Sequence, residues 1–189
     1  MNLTRLITFS PPAQWPARGN LLRPAGVAAL MAVLLLGSLS AHAGGFEDAR
    51  YRVAVADDRF SGTTQVAAAF DVRQWRRWGA DWLRFEVGVF EDGENTRPFL
   101  SLGPVWHRPL GQSRYFTELS ISPTLIAGST FQGEELGGDF HFTSALVFGT
   151  RVGGRGVVAL RLQHTSNGGI RETNPGMDML GITFSFVGH

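Results

Sequence analysis

The chain has 189 residues, a formal charge of +1, no lysine among its 17 basic residues and no cysteine. Lack of cysteine rules out a disulfide framework and any thiolate ligand to a metal. The near balance of charge argues against nucleic acid as a partner, since phosphate binding needs a clustered basic surface.

Arg5, Arg18 and Arg23 precede an apolar run from Ala25 to Leu36, which is followed by Gly37-Ser38-Leu39-Ser40 and Ala41-His42-Ala43. A positive leader, a short apolar segment and a small-x-small ending predict a secretory signal peptide cleaved after Ala43. The run falls short of the roughly 20 apolar residues of a transmembrane helix. Its removal takes away three arginines and no acid, so residues 44–189 form one domain with a charge of −2. The remaining histidines, His107, His141, His164 and His189, lack metal-ligand spacing.

Beyond residue 43 no stretch is long and apolar enough to cross a bilayer as a helix, and Gly, Asn and Asp punctuate the chain at short intervals. Alternating segments are predicted near 48–56, 63–76, 81–91, 96–107, 113–125, 139–151, 156–167 and 177–187. Eight in succession predict an all-β, antiparallel up-and-down sheet. In the second segment Val66, Ala68, Phe70 and Val72 oppose Gln65, Asp71 and Arg73. The third sets Leu83, Phe85, Val87 and Val89 against Trp82, Arg84, Glu86 and Gly88. Thr117, Leu119 and Ile121 oppose Glu118, Ser120 and Ser122 in the fifth, and Phe140, Phe142, Leu146 and Phe148 oppose His141 and Thr143 in the sixth. The eighth sets Leu180, Ile182, Phe184 and Phe186 against Gly181, Thr183 and Ser185.

Alternation alone fits a soluble or a membrane barrel. An even strand number, strands of about 9–11 residues and an export signal favour an eight-stranded transmembrane β-barrel. Trp75, Trp78, Trp82, Trp106 and Tyr115 fall near segment ends, where interfacial aromatic girdles belong. Eight strands enclose an interior filled by side chains, so Asp71, Arg73, Arg84, Glu86, Glu118 and Arg161 are expected to form an internal ionic plug. With both termini in the periplasm, the turns near 78–80, 109–112 and 152–155 are periplasmic, and the connections 126–138 and 168–176 extracellular.

The seventh segment carries a polar pair on its apolar face. Val158, Leu160 and Leu162 share parity with His164 and Ser166, which are two residues apart with β-carbons about 7 Å from each other. Asp178 has the parity of Leu180 and Ile182 on the following strand. An imidazole, a hydroxyl and a carboxylate thereby meet on one outward patch, the set required for ester hydrolysis without metal or cofactor. Glu172 is the second candidate for the acid, and Asn174-Pro175-Gly176 reads first as a loop reversal.

The run Arg161-Leu-Gln-His164-Thr-Ser166-Asn167-Gly-Gly-Ile170-Arg-Glu-Thr-Asn174-Pro-Gly176-Met-Asp178 resembles the C-terminal signature of the lipid A 3-O-deacylases, a family of outer-membrane enzymes. The resemblance implies His164 as general base, Ser166 as nucleophile, Asp178 as orienting acid and Asn167 as an oxyanion donor, with Asn174, Gly176 and Arg161 as supporting residues. Asp178 stands where the family usually has Glu. The implied substrate is the 3-linked hydroxyacyl ester of lipid A in lipopolysaccharide, among outer-membrane lipids, with neither cofactor nor metal; a homodimer is compatible with the pattern.

Two other readings share much of this. A non-enzymatic eight-stranded outer-membrane barrel in adhesion or envelope integrity differs only at the three side chains. A soluble periplasmic barrel for a small apolar ligand requires a greasy interior and places Arg84, Glu86 and Arg161 outside.

Overall fold

The computed structural model describes residues 49–58, 62–73, 77–154 and 156–187. The expected leader, Trp75 and His189 lie outside them. In chain order the strands are β1 (Ala49–Asp58), β2 (Thr63–Val72), β3 (Trp82–Glu91), β4 (Thr96–Pro109), β5 (Tyr115–Ile126), the two-residue β6 (Thr130–Phe131) and β7 (Glu134–Glu135), β8 (Phe140–Val152), β9 (Gly156–Ser166) and β10 (Met177–Val187). The eight long ones close into an antiparallel barrel in the order β1-β10-β9-β8-β5-β4-β3-β2. Each therefore pairs with its neighbours in sequence, as an up-and-down barrel requires.

Most strand ends fall within two residues of the expected ones, and two features depart further from the periodicity. β2 ends at Val72, and a short 3-10 turn occupies Arg77–Gly79. The connection after β5 is not a plain loop: β6 and β7 pair as a small hairpin, whose two-residue strands are too short to leave an alternation signal.

Parity sorts the side chains as the sequence implies. Leu100, Leu102, Leu119, Ile121, Leu146, Phe148, Leu160, Leu162, Ile182 and Phe184 are exposed, while Arg84, Glu86, Glu118 and Asp71 are buried. A shell of large apolar side chains around a charged interior is the reverse of a soluble protein, and suits a hydrocarbon surround in which each backbone polar group must find its partner within the sheet.

The interior is layered. Toward the end where β1 begins and β10 ends, Arg50 donates to Asp71 at 2.7 Å through Nη2 and to Glu118 at 2.6 Å through Nη1. Arg52 reaches Glu118 Oε2 at 2.7 Å, and Arg84 reaches Asp71 Oδ1 at 2.7 Å and Glu118 Oε2 at 3.2 Å. Arg50 also lies 4.7 Å over the Trp82 ring, so this tryptophan packs against the plug as well as standing near a strand end. Arg161 and Glu86 pair separately at 2.8 Å. The expected plug is thus corrected at two points. Arg50 and Arg52 belong to it, whereas Arg73 does not: it lies one residue past the end of β2 and is exposed.

Toward the opposite end the filling is apolar, with Phe90, Phe99, Ile126, Phe131, Leu136, Met177 and Met179 in one cluster. Phe131 comes from the small hairpin and meets Phe90 edge-on at 5.7 Å. Between the layers, Thr124 donates to Thr143 at 2.8 Å and Thr143 shares a bond with Thr165 at 3.1 Å. This hydroxyl ladder ties β5, β8 and β9 together from inside.

Removing one carboxylate from the plug leaves buried guanidinium groups uncompensated, which costs about 3–5 kcal/mol. Asp71→Ala is therefore expected to lower the stability of the refolded barrel by that order in urea titration.

Candidate active site

β9 and β10 are joined by residues 167–176 and pair antiparallel, with His164 directly opposite Asp178. His164 Nδ1 lies 2.7 Å from Asp178 Oδ1. Their side chains are 50% and 76% exposed, so the pair stands on the outer wall and not in the lumen. The carboxylate accepts the Nδ1 proton, and this leaves the Nε2 lone pair free as a base.

Ser166 lies two residues from His164 on the same face, half-buried beside the exposed imidazole. Register carries β10 back from Met177, opposite Thr165, to Gly176 opposite Ser166. Gly176 has φ +71°, and a β-carbon there would stand 2.8 Å from His164 Cε1 and 3.5 Å from Nε2. Glycine is required on both counts, since the backbone is left-handed and the imidazole occupies the space of a side chain. The free edge of the ring is thus turned toward the row that holds Ser166. Glu172, the second candidate for the acid, is exposed in the loop, and the partner of the imidazole is Asp178.

Asn167 is placed differently from the expected oxyanion donor. Its parity is that of Gln163 and Thr165, and it is fully buried. Nδ2 donates to Leu136 O at 3.0 Å and to Thr173 O at 2.6 Å, and Oδ1 accepts from Gly169 N at 2.9 Å. With both ends of its carboxamide engaged, Asn167 ties the β9–β10 connection to the segment after β7. Gly137 permits this approach, because a β-carbon there would run into Asn167 Nδ2 and Thr173 O. Asn167 N in turn donates to Asn174 Oδ1 at 3.0 Å, which orients the Asn174 carboxamide. Arg161 is likewise not at the site, being buried in its pair with Glu86.

Asp92 anchors the other side of the small hairpin. Oδ1 accepts from Asn95 N at 2.7 Å and Glu94 N at 3.0 Å; Oδ2 accepts from Arg97 Nη1 at 3.1 Å and Gln132 N at 3.3 Å. Burial pushes the Asp92 carboxyl up, but these donors outweigh it and hold the group below its ordinary value.

The outward imidazole, its carboxylate and the neighbouring hydroxyl can be compared with known proteins. The family model for lipid A 3-O-deacylase (PagL) matches residues 51–187. The chain belongs to the lipid A 3-O-deacylase (PagL) family. A relative named lipid A deacylase PagL, from Bordetella bronchiseptica (strain ATCC BAA-588 / NCTC 13252 / RB50), is 30% identical over 73 residues, a match spanning 39% of this chain and 41% of that protein. The crystal structure of the outer membrane enzyme PagL superposes with a TM-score of 0.58 at 20% identity, covering 72% of this chain and 98% of that one. The N-terminal β-barrel domain of Pseudomonas aeruginosa OprF gives a TM-score of 0.50 at 11% identity over 75% of this chain and 99% of that domain. These likenesses bear on the barrel, and membership of the PagL family with an apolar exterior places the chain in the outer membrane.

A carboxyl held below its ordinary value stabilises its surroundings fully above the unfolded Asp value, about 3.9, and that contribution is lost as pH falls through the lowered one. Amide-exchange protection across residues 129–136 is accordingly expected to hold from neutral pH down to about pH 4 and to fall on further acidification. Asp92→Asn lowers it severalfold at neutral pH.

Proposed function

We propose that the chain hydrolyses the ester at the 3-O position of lipid A with Ser166 as nucleophile, His164 as general base and Asp178 as orienting acid, after export directed by the leader 1–43. The observation that carries this reading is the 2.7 Å bond between His164 Nδ1 and Asp178 Oδ1 on the lipid-facing wall. A charged carboxylate and an imidazole beside exposed Leu160, Leu162, Leu180 and Ile182 are costly in an apolar surround unless they serve a use there. A substrate whose acyl chains already lie against that wall meets the hydroxyl without leaving the membrane.

In the first step Ser166 Oγ attacks the ester carbonyl while its proton passes to His164 Nε2. The tetrahedral intermediate places negative charge on the former carbonyl oxygen. Asn174 is the side-chain donor suited to that oxygen, since its Oδ1 is held by Asn167 N, next in the chain to Ser166, and its exposed carboxamide keeps the Nδ2 donor for the substrate; Asn167 acts by fixing it. Collapse breaks the bond between the acyl carbon and the sugar oxygen, and the imidazolium returns its proton to that oxygen. Water, deprotonated by the same imidazole, then releases the fatty acid from Ser166. Asp178 stabilises the imidazolium throughout and fixes its tautomer.

Mass spectrometry of lipid A from cells producing the chain is expected to show loss of one 3-linked acyl group, and no loss with Ser166→Ala or His164→Ala; equal loss in all three refutes the assignment. Asp178→Asn is expected to lower the rate by about 10⁴ through the wrong tautomer, and Asn174→Ala by about 10²–10³. Gly176→Ala, which displaces the imidazole, is expected to cost about 10² while the barrel still folds, as judged by mobility on unheated gels.

A further inference from the structure

The two ends of the barrel differ in sign. Around the end that carries His164, Asp57, Glu94, Glu134, Glu135, Asp139 and Glu172 are exposed. At the other end, where β1 begins and β10 ends, Arg73, Arg108, Arg114 and Arg151 are exposed. Asp81 lies at this end too, and it is taken up by Arg108 at 2.9 Å. Neither Arg114 nor Arg151 meets a carboxylate among the described residues.

These two arginines stand directly opposite one another. Tyr115 at the start of β5 pairs with Thr150 of β8, and one step further along the ladder Arg151 N donates to Arg114 O at 3.1 Å. Opposite residues hold their β-carbons about 5 Å apart, and like charges in such a pair destabilise the sheet. The Arg114 guanidinium lies 5.5 Å over the Tyr115 ring. Tyr115 in turn stacks on Phe148 of the lipid-facing wall at 6.0 Å, and Leu110 and Val152 are exposed beside it. The cations thus stand where the apolar wall ends, at the depth where interfacial aromatic rings and headgroups meet.

Two opposed guanidinium groups without an acid between them are relieved by an anion that both can reach. The non-bridging oxygens of a phosphate diester suit the planar fork of arginine. A headgroup that carries an ammonium cancels its own phosphate, so a headgroup with net negative charge fits better. We propose that Arg114 and Arg151, on the platform of Tyr115 and Phe148, bind the phosphate of an anionic phospholipid in the leaflet at this end of the barrel, expected to face the periplasm. The site is at the far end of the strands from His164 and Asp178, and it stands independently of the deacylase reading.

The test offers the full chain, refolded in detergent, equal amounts of phosphatidylglycerol and phosphatidylcholine with identical acyl chains, and counts bound lipid by native mass spectrometry. The wild type is expected to retain phosphatidylglycerol in preference, by about tenfold. Arg114→Gln and Arg151→Gln are each expected to cut that preference about three- to fivefold, and the double variant to bring it near parity. Arg108→Gln, whose charge is met by Asp81, is expected to keep it. Mobility on unheated gels confirms that each variant is folded. A wild type without the preference, or a folded double variant that retains it, overturns the proposal. Displacement of phosphatidylglycerol by an equal concentration of inorganic phosphate also overturns it, because the site would then hold free anions and not a lipid.

Discussion

Hydrocarbon offers no hydrogen bonds, and this constraint organises the molecule. A sheet in such a surround has to close, since every N–H and C=O must find its partner in the next strand. Closure gives each strand an inner and an outer row, and the row a residue occupies follows from parity alone. The charged groups are drawn inside, where Arg50, Arg52 and Arg84 share Asp71 and Glu118. The outer wall then has to be apolar, and a polar group left on it stands out by position.

The proposed catalytic groups are held by backbone pairing more than by their own packing. His164 and Asp178 are opposite residues on adjacent antiparallel strands, so the ladder sets their separation before any side chain turns. Behind them the Thr124, Thr143 and Thr165 hydroxyls link three strands from the lumen side. Above them Asn167 ties the β9–β10 connection to Leu136, and Asp92 ties the small hairpin to the β3–β4 turn. The loops are thereby anchored to inward-facing groups, and the exterior of β9 and β10 is left open.

Much of this was legible in the sequence, for a physical reason. Period-two alternation over Leu83 to Val89 or Val158 to Leu162 reports the face directly, and it carried His164, Ser166 and Asp178 to the outer wall. The same parity also argued that Asn167 points inward, with Gln163 and Thr165; a role taken from resemblance overrode that signal. Arg73 was misplaced because alternation does not mark where a strand ends: the pattern continues for one residue after the ladder stops at Val72. Arg50 and Arg52 alternate with Tyr51 and Val53 and were readable in the same way. The β6–β7 hairpin was not, since its two-residue strands are too short to show a period; nor was the grip of Asn167 on Leu136, which joins residues 31 apart.

The central claim is that the imidazole and the hydroxyl share the lipid-facing row of β9. Because the chain has no native cysteine, single cysteines at each position from 159 to 166 can carry a nitroxide without background. In bilayers, collision with lipid-dissolved oxygen is expected to alternate with a period of two, with positions 164 and 166 in phase with 160 and 162. Labels at 164 and 166 that instead follow 161 and 163, reporting the lumen, would contradict the account.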